Sequence, residues 1–323
     1  MKKILVLLLL IGIGNVCTAS NDTTRQKAAD SSNAKCWTYK GQYGFLANQI
    51  AFSNWAAGGE SSLSGRSTFD YELKYHKGKF AFTNSGHFAF GLAGYESKKI
   101  QKTDDRIDLL FTLGHKISRH WDFTGLTSFK SQFANGYKYP DDSTLISGFM
   151  APGYLTVSLG FNFKPHKNFQ LFLSPLSGKV TFVLNQKLAD KGAYGVKKAT
   201  FDSTGNLLSH GANYLGQLGI NIVSSYQTQI MKNILFQTRI NLYNNYLEPI
   251  PEKRWQIDVD WDNQVNFKIN EYFATVLFLH LKYDPKVLLP KYRTINGEQT
   301  MVVESARLQI KESLGIGFTY KIN

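Results

Sequence analysis

The chain has 323 residues, a formal charge of +13 and 43% hydrophobic residues, yet its mean hydropathy is only −0.25. Beyond the N-terminal segment nothing approaches the ~18 consecutive apolar residues of a membrane helix, which excludes a helical membrane protein. The 2 cysteines exclude a disulfide scaffold or a cysteine metal centre. The cations are scattered through predicted turns, loops and one strand face, with no basic helix, so nucleic acid is not an expected partner.

The N-terminus reads as an export signal. Lys2 and Lys3 precede an apolar run from Ile4 to Ile13, and small residues around Cys17, Thr18, Ala19 and Ser20 offer a cleavage site, which predicts a signal peptide over 1–19. Gly14, Asn15 and Val16 make a poor lipobox before Cys17, so a lipid anchor is not expected. Residues 20–36 are polar, small and aperiodic, and read as a flexible periplasmic leader. The remainder, 37–323, reads as one domain.

That domain alternates with a period of two, which places successive side chains on opposite faces of a strand. Strand one is predicted from Trp37 to Phe52 and strand two from Glu60 to Tyr75. In strand two Leu63, Phe69, Tyr71, Leu73 and Tyr75 share one face, and Arg66, Asp70, Glu72 and Lys74 share the other. A tight turn over 76–79 leads to strand three, with Phe80, Phe82, Phe88, Phe90 and Leu92 outward. Strand four, Lys102 to Ile117, turns Asp104, Arg106 and Asp108 inward, and strand five turns Trp121, Phe123, Phe129 and Phe133 outward. A longer connection, 134–152, precedes strand six (Gly153 to Lys164) and strand seven (Phe169 to Leu184), where Pro175 predicts a bulge or an unpaired edge. Residues 185–210 are too polar and aperiodic for a strand.

Strand eight is predicted over 211–228, and strand nine runs from Ile234 to near Tyr246. Strand ten, Trp255 to Ile269, is apolar at every second position except Asn263, and polar between. Strand eleven follows with Phe273, Leu277, Leu279 and Leu281 in phase. Strand twelve is predicted from Val302 to Ile322, with Glu312 anomalously on the outward phase. Strands this long, greasy on one face and charged on the other, do not suit a soluble sandwich, whose strands average about 5 to 6 residues. The expected fold is all-β: a monomeric transmembrane up-and-down antiparallel β-barrel of about twelve strands, short turns alternating with longer loops. An even count places both termini on the periplasmic side of a bacterial outer membrane.

Five runs carry a resemblance: 52–65 (FSNWAAGGESSLSG), 102–109 (KTDDRIDL), 133–143 (FANGYKYPDDS), 173–181 (LSPLSGKVT) and 188–196 (LADKGAYGV). They are similar to a bacterial outer-membrane family catalogued as domain of unknown function 3078. The resemblance extends over most of 37–323 and implies an outer-membrane barrel; it implies no catalytic or ligand residues. The chain departs from the common barrel ending in an aromatic residue read by the barrel-insertion machinery, and Tyr320 or Ile322 stands in its place.

Function is sought in the lumen and loops. The inward phase offers Arg66, Asp70, Glu72, Lys74, Asp104, Arg106, Asp108, Lys130, Arg239, Asp258, Asp260, Asp262, Lys268, Arg307 and Lys311. Such residues either pair across strands to fill a narrow interior or line a hydrated path for small polar or anionic solutes. The loop candidates are Trp55, Tyr137, Tyr139, Asp141 and Asp142. The two aspartates lack a calcium-loop spacing, so no metal or other cofactor is expected. His87 and His280 fall in the lumen phase and Ser85 lies near His87, but no hydrolase motif surrounds them, and an enzyme is not expected. A pore or solute-binding barrel is the leading expectation, and a closed barrel presenting its loops to a partner is the alternative; outer-membrane lipid is the expected surrounding.

Overall fold

The computed structural model describes residues 36–50, 61–96, 98–139, 141–295 and 298–322. The predicted signal peptide, nearly all of the predicted leader, and Trp55 lie outside them. Twelve long strands close into one barrel. They are β1 (Trp37–Ile50), β2 (Ser62–Lys77), β3 (Phe80–Tyr95), β4 (Gln101–Lys116), β5 (Trp121–Ser131), β6 (Gly153–His166), β7 (Phe169–Phe182), β8 (Tyr214–Met231), β9 (Ile234–Asn245), β10 (Ile257–Lys268), β11 (Phe273–Tyr283) and β12 (Gln309–Ile322). Each pairs antiparallel with its sequence neighbours, and β12 returns to β1 through Gly41↔Ile322 to Ala47↔Ile316. Closure removes the unpaired edges that an open sheet would expose to lipid. Among the described residues no helix is long and apolar enough to cross a membrane; the strands do the crossing.

The outward phase forms an apolar belt. Phe45, Phe69, Phe111, Phe123, Phe161, Trp261 and Ile316 are all exposed, an apolar surface far beyond what a soluble monomer carries. Rings pair along the belt, Trp121 with Phe163 at 4.8 Å and Tyr272 with Phe318 at 6.1 Å. The break at Asn263 has a local remedy. Register sets Thr238 opposite Asn263, and the threonine hydroxyl donates to Asn263 Oδ1 at 2.8 Å while accepting from Trp261 Nε1 at 2.8 Å. Three polar groups on the lipid face thus satisfy one another. Glu312 stays on the outward phase, opposite Leu279 and exposed.

Pro175 produces the predicted bulge: pairing steps from Leu159↔Leu176 to Phe161↔Leu173 on one side of β7, and from Gly219↔Ser177 to Asn221↔Ser174 on the other. The extra residue switches which parity faces the bore, so Ser174 points inward before it and Ser177 and Lys179 after it.

Short turns follow β2, β4, β6, β8 and β10, and generally longer connections follow β1, β3, β5, β7, β9 and β11, that after β3 being only residues 96–100. Three long connections carry structure that strand patterning does not foresee. Residues 134–152 hold a hairpin pairing Gly136–Tyr137 with Leu145–Ser147. Residues 185–210 hold a helix, α1 (Gln186–Asp190), capped by the Asn185 side chain, and a hairpin pairing Thr200–Phe201 with Leu207–Ser209. The start of predicted strand twelve is instead a separate hairpin, Leu288–Ile295 with Glu298–Ala306, and β12 begins at Gln309. Trp255 likewise precedes β10 and is 88% exposed.

The first two connections fold together into a cap. Ala151, Val183, Leu188, Ala189 and Val196 bury one another, with Leu145, Tyr194 and Leu215 packed alongside. Asp105 ties the cap to the wall, accepting from the backbone N–H groups of Phe133 at 2.7 Å and Ala134 at 2.9 Å while paired to Lys102.

Candidate functional site

The inward phase of β10 sets Asp258, Asp260 and Asp262 in a row, about 7 Å apart at ~3.4 Å per residue. Each meets a cation from a different, non-adjacent strand. Lys179 on β7 reaches Asp258 at 2.6 Å, Lys130 on β5 reaches Asp260 at 2.7 Å, and Arg106 on β4 reaches Asp262 at 2.8 Å. In the closed order β4 and β10 are six strands apart, on opposite walls, so the Arg106 contact crosses the bore. The guanidinium grips Asp262 with two nitrogens, Nη1 at 3.2 Å and Nη2 at 2.8 Å, and also donates to Asp108 at 3.0 Å. Bidentate geometry of this kind is both strong and directional.

A second bridge lies beside the first. Asp104 on β4 accepts from Arg66 of β2 at 2.6 Å and from Lys311 of β12, and Arg66 also stacks over the Phe278 ring at 5.7 Å. His280 on β11 bonds Asp260 Oδ1 at 2.7 Å. Two cavities interrupt this network. One, of about 60 Å³, lies between Lys179, Asp258, Tyr154 and Tyr243; the other, of about 220 Å³, lies between Arg66, Arg106, Lys130 and His280. Tyr154 is flanked by two ammonium groups, Lys179 at 5.4 Å and Lys282 at 5.0 Å from its ring.

Away from the ionic wall part of the bore is lined by neutral side chains. Ser177 donates to Ser158 at 2.7 Å and lies 2.8 Å from Ser174, and Asn221 donates to Ser158 at 3.2 Å. Toward the short turns Gln264, Asn266, Gln237 and Gln227 form a chain of amides. Thr124 Oγ1, Tyr154 Oη, Asn162 Oδ1, Asn221 Oδ1 and Asn241 Oδ1 are buried with no hydrogen-bond partner among the described residues.

The predicted lumen residues divide accordingly. Arg66, Asp104, Arg106, Asp108, Lys130, Asp258, Asp260, Asp262 and Lys311 converge on the network. Asp70 pairs with His87 at 2.5 Å and Glu72 with Lys74 at 2.8 Å, apart from it. Arg239 stands opposite Asp262 in register. Lys268 is exposed at the short-turn end of β10. Arg307 precedes β12 and bonds Leu289 O at 3.5 Å, so it belongs to the hairpin rather than the bore; strand periodicity cannot distinguish a hairpin arm from a wall strand. Lys179 escapes a strand reading because the Pro175 bulge reverses the parity of β7.

Asp260, Asp262 and His280 bring ligand atoms within 4.8 Å of one another, but both carboxylates are already held by Lys130 and Arg106, an ion-pair arrangement. Ser85 makes no hydrogen bond to His87 among the described residues. In the loops, Tyr139 accepts from Lys102 N at 3.3 Å, Tyr137 sits in the short hairpin, and Asp142 pairs with Lys99. Asp141 accepts from the Ser143 hydroxyl at 2.6 Å and its N–H at 2.8 Å, which lowers its pKa and turns the carboxylate toward its own loop.

The cap carries its own electrostatics. Asp190 has its pKa lowered by the Gln186 amide, then by the Gly211 N–H and His210. Burial raises the Tyr194 pKa; its hydroxyl donates to Ile146 O at 2.8 Å. Gly195, at φ +83, lies against the Lys286 side chain, which pairs with Glu248 at 3.0 Å. The cap therefore reaches from the β7–β8 connection to the one after β11.

Fold and bore define a membrane-spanning β-barrel with an ion-paired interior. The profile of a family described as "Protein of unknown function (DUF3078)" matches residues 47–137. That span contains the first two of the five resembling runs wholly, part of the third, and neither of the last two. It includes Arg66, Asp104, Arg106, Asp108 and Lys130. No curated protein matches the chain. The translocator domain of autotransporter NalP from Neisseria meningitidis is similar over 89% of this chain and 90% of that one, at 8% identity and a TM-score of 0.37. An outer membrane channel from Pseudomonas putida F1 is similar over 91% and 99%, at 10% identity and 0.38. The toluene transporter TodX of Pseudomonas putida is similar over 88% of each chain, at 8% identity and 0.28. These likenesses are distant and carry no functional information.

Proposed function

We propose that the protein is a bacterial outer-membrane barrel whose bore is a narrow passive path for small polar solutes, closed at rest by ion pairs that span it. The observation that carries this reading is the Arg106–Asp262 bridge between opposite walls, with a cavity of about 220 Å³ against it. An interior meant only to be filled is more stably built from apolar side chains, because charges taken from water recover at best their desolvation cost. Long Lys and Arg stems, by contrast, close a bore reversibly. The start of β1 and the end of β12 lie on the short-turn side of the barrel, and on this reading that side is periplasmic. The chain acts as a monomer in outer-membrane lipid, with Tyr320 or Ile322 presented to the insertion machinery.

A second reading, a closed barrel presenting its loops to a partner, is favoured by the apolar core of the cap around Val183 and Leu188. Planar-bilayer recording separates the two. The path reading expects small ion-permeable steps that grow when Arg106→Gln or Asp262→Asn removes one side of the bridge. A bilayer silent for the folded wild type and both variants supports the closed barrel instead.

A further inference from the structure

The three β10 aspartates and their three partners form a ladder of opposite charges, each rung pairing one carboxylate with one cation across polar space. The rungs follow one another along the barrel axis, because Asp258, Asp260 and Asp262 are consecutive inward positions of one strand. Within these three rungs the carboxylates all stand on β10 and the cations on β4, β5 and β7, with Asp108 of β4 beside Arg106 and Lys130, so the rungs set up a field transverse to the path. We propose that this ladder selects zwitterions, small solutes carrying an ammonium and a carboxylate together, as the preferred cargo of the path; the inference rests on the path reading above.

The physical reason is charge balance within an opened rung. A solute that separates Arg106 from Asp262 leaves the carboxylate without its bidentate partner and the guanidinium with Asp108 alone, and a charge left short of partners away from bulk water is strongly unfavourable. A simple cation compensates only the aspartate and a simple anion only the guanidinium. A zwitterion compensates both, its ammonium donating to the carboxylate and its carboxylate accepting from the guanidinium, so one ion pair becomes two in series. Room for the longer arrangement exists beside the rung, since Arg106, Lys130 and His280 all line the cavity of about 220 Å³. The next rung repeats the geometry at about 7 Å, within reach of a solute handed along the wall. A neutral polar molecule of the same size compensates neither charge.

Glycine and glycolamide are isomers, the first zwitterionic and the second neutral, so their entry into proteoliposomes isolates charge from size. The expected result is wild-type entry of glycine at least about fivefold faster than glycolamide. The triple variant Asp258→Asn, Asp260→Asn, Asp262→Asn, reconstituted after its heat-modifiable gel mobility verifies folding, is expected to bring the ratio near one while glycolamide still enters. Equal wild-type rates, or faster glycolamide, overturn the inference while leaving the path intact. Entry of neither solute contradicts the path and the inference together, and an unchanged ratio in the folded triple variant removes the ladder as its cause.

Discussion

Two sectors of the same bore solve the problem of a polar interior differently. Around the Pro175 bulge, short neutral side chains pack at wall-to-wall distance: Ser158, Ser174 and Ser177 are 0% exposed and bonded mainly to one another and to the backbone. Across from β10, long charged side chains reach over open space, and both cavities touch them. The serine sector has no stem that swings without breaking the wall; the ionic sector has little else. The difference teaches that side-chain length separates the two sectors, and on the proposed path reading it places the gate on the ionic wall rather than around the whole circumference.

Changes in each sector should therefore have opposite signatures. Arg106→Gln is expected to have the largest effect on permeation, raising conductance roughly severalfold with the barrel still folded, as single-channel recording would read. Ser177→Ala is expected to leave conductance unchanged but to lower unfolding stability in a urea titration by about 1 to 3 kcal/mol, because the Ser158 and Ser174 hydroxyls lose a buried partner. Larger conductance from the serine variant would erase the contrast. On the lipid face, Thr238→Val strips the partner from both Asn263 and the Trp261 N–H, and is expected to cost ~1 kcal/mol in the same titration without touching permeation.

The smallest effect concerns the cap. The folded pKa of Asp190 lies below its ordinary value of about 4, so its contribution is complete above that value and lost as pH falls through the lowered one. Amide exchange of Gly211, whose N–H donates to Asp190 at 2.7 Å, should accelerate on acidification below pH ~4 relative to barrel amides. Asp190→Asn should remove that pH dependence.

Strand number, antiparallel order and the alternation of turns follow from a period of two, because lipid and lumen impose it on every wall strand. Asn263 breaks the pattern and still holds its place, since cross-strand pairing with Thr238 supplies what the sequence neighbourhood lacks. The bridges were legible only as a set of inward charges. Which aspartate meets which cation depends on the diameter and shear of the closed cylinder, quantities no single strand encodes. Lys179 was hidden by one residue of bulge, and Arg307 was misplaced by a hairpin whose arms alternate as wall strands do. The cap was invisible because its core, Val183 with Leu188 and Val196, joins segments too short to show any period.

The most direct test is a conductance cycle over wild type, Arg106→Gln, Asp262→Asn and the double variant. If the two side chains close the bore as one bridge, either single change opens it and the second adds little, so the double variant conducts like the singles. Additive increases, or four indistinguishable conductances from folded barrels, would contradict a bore held shut across its width.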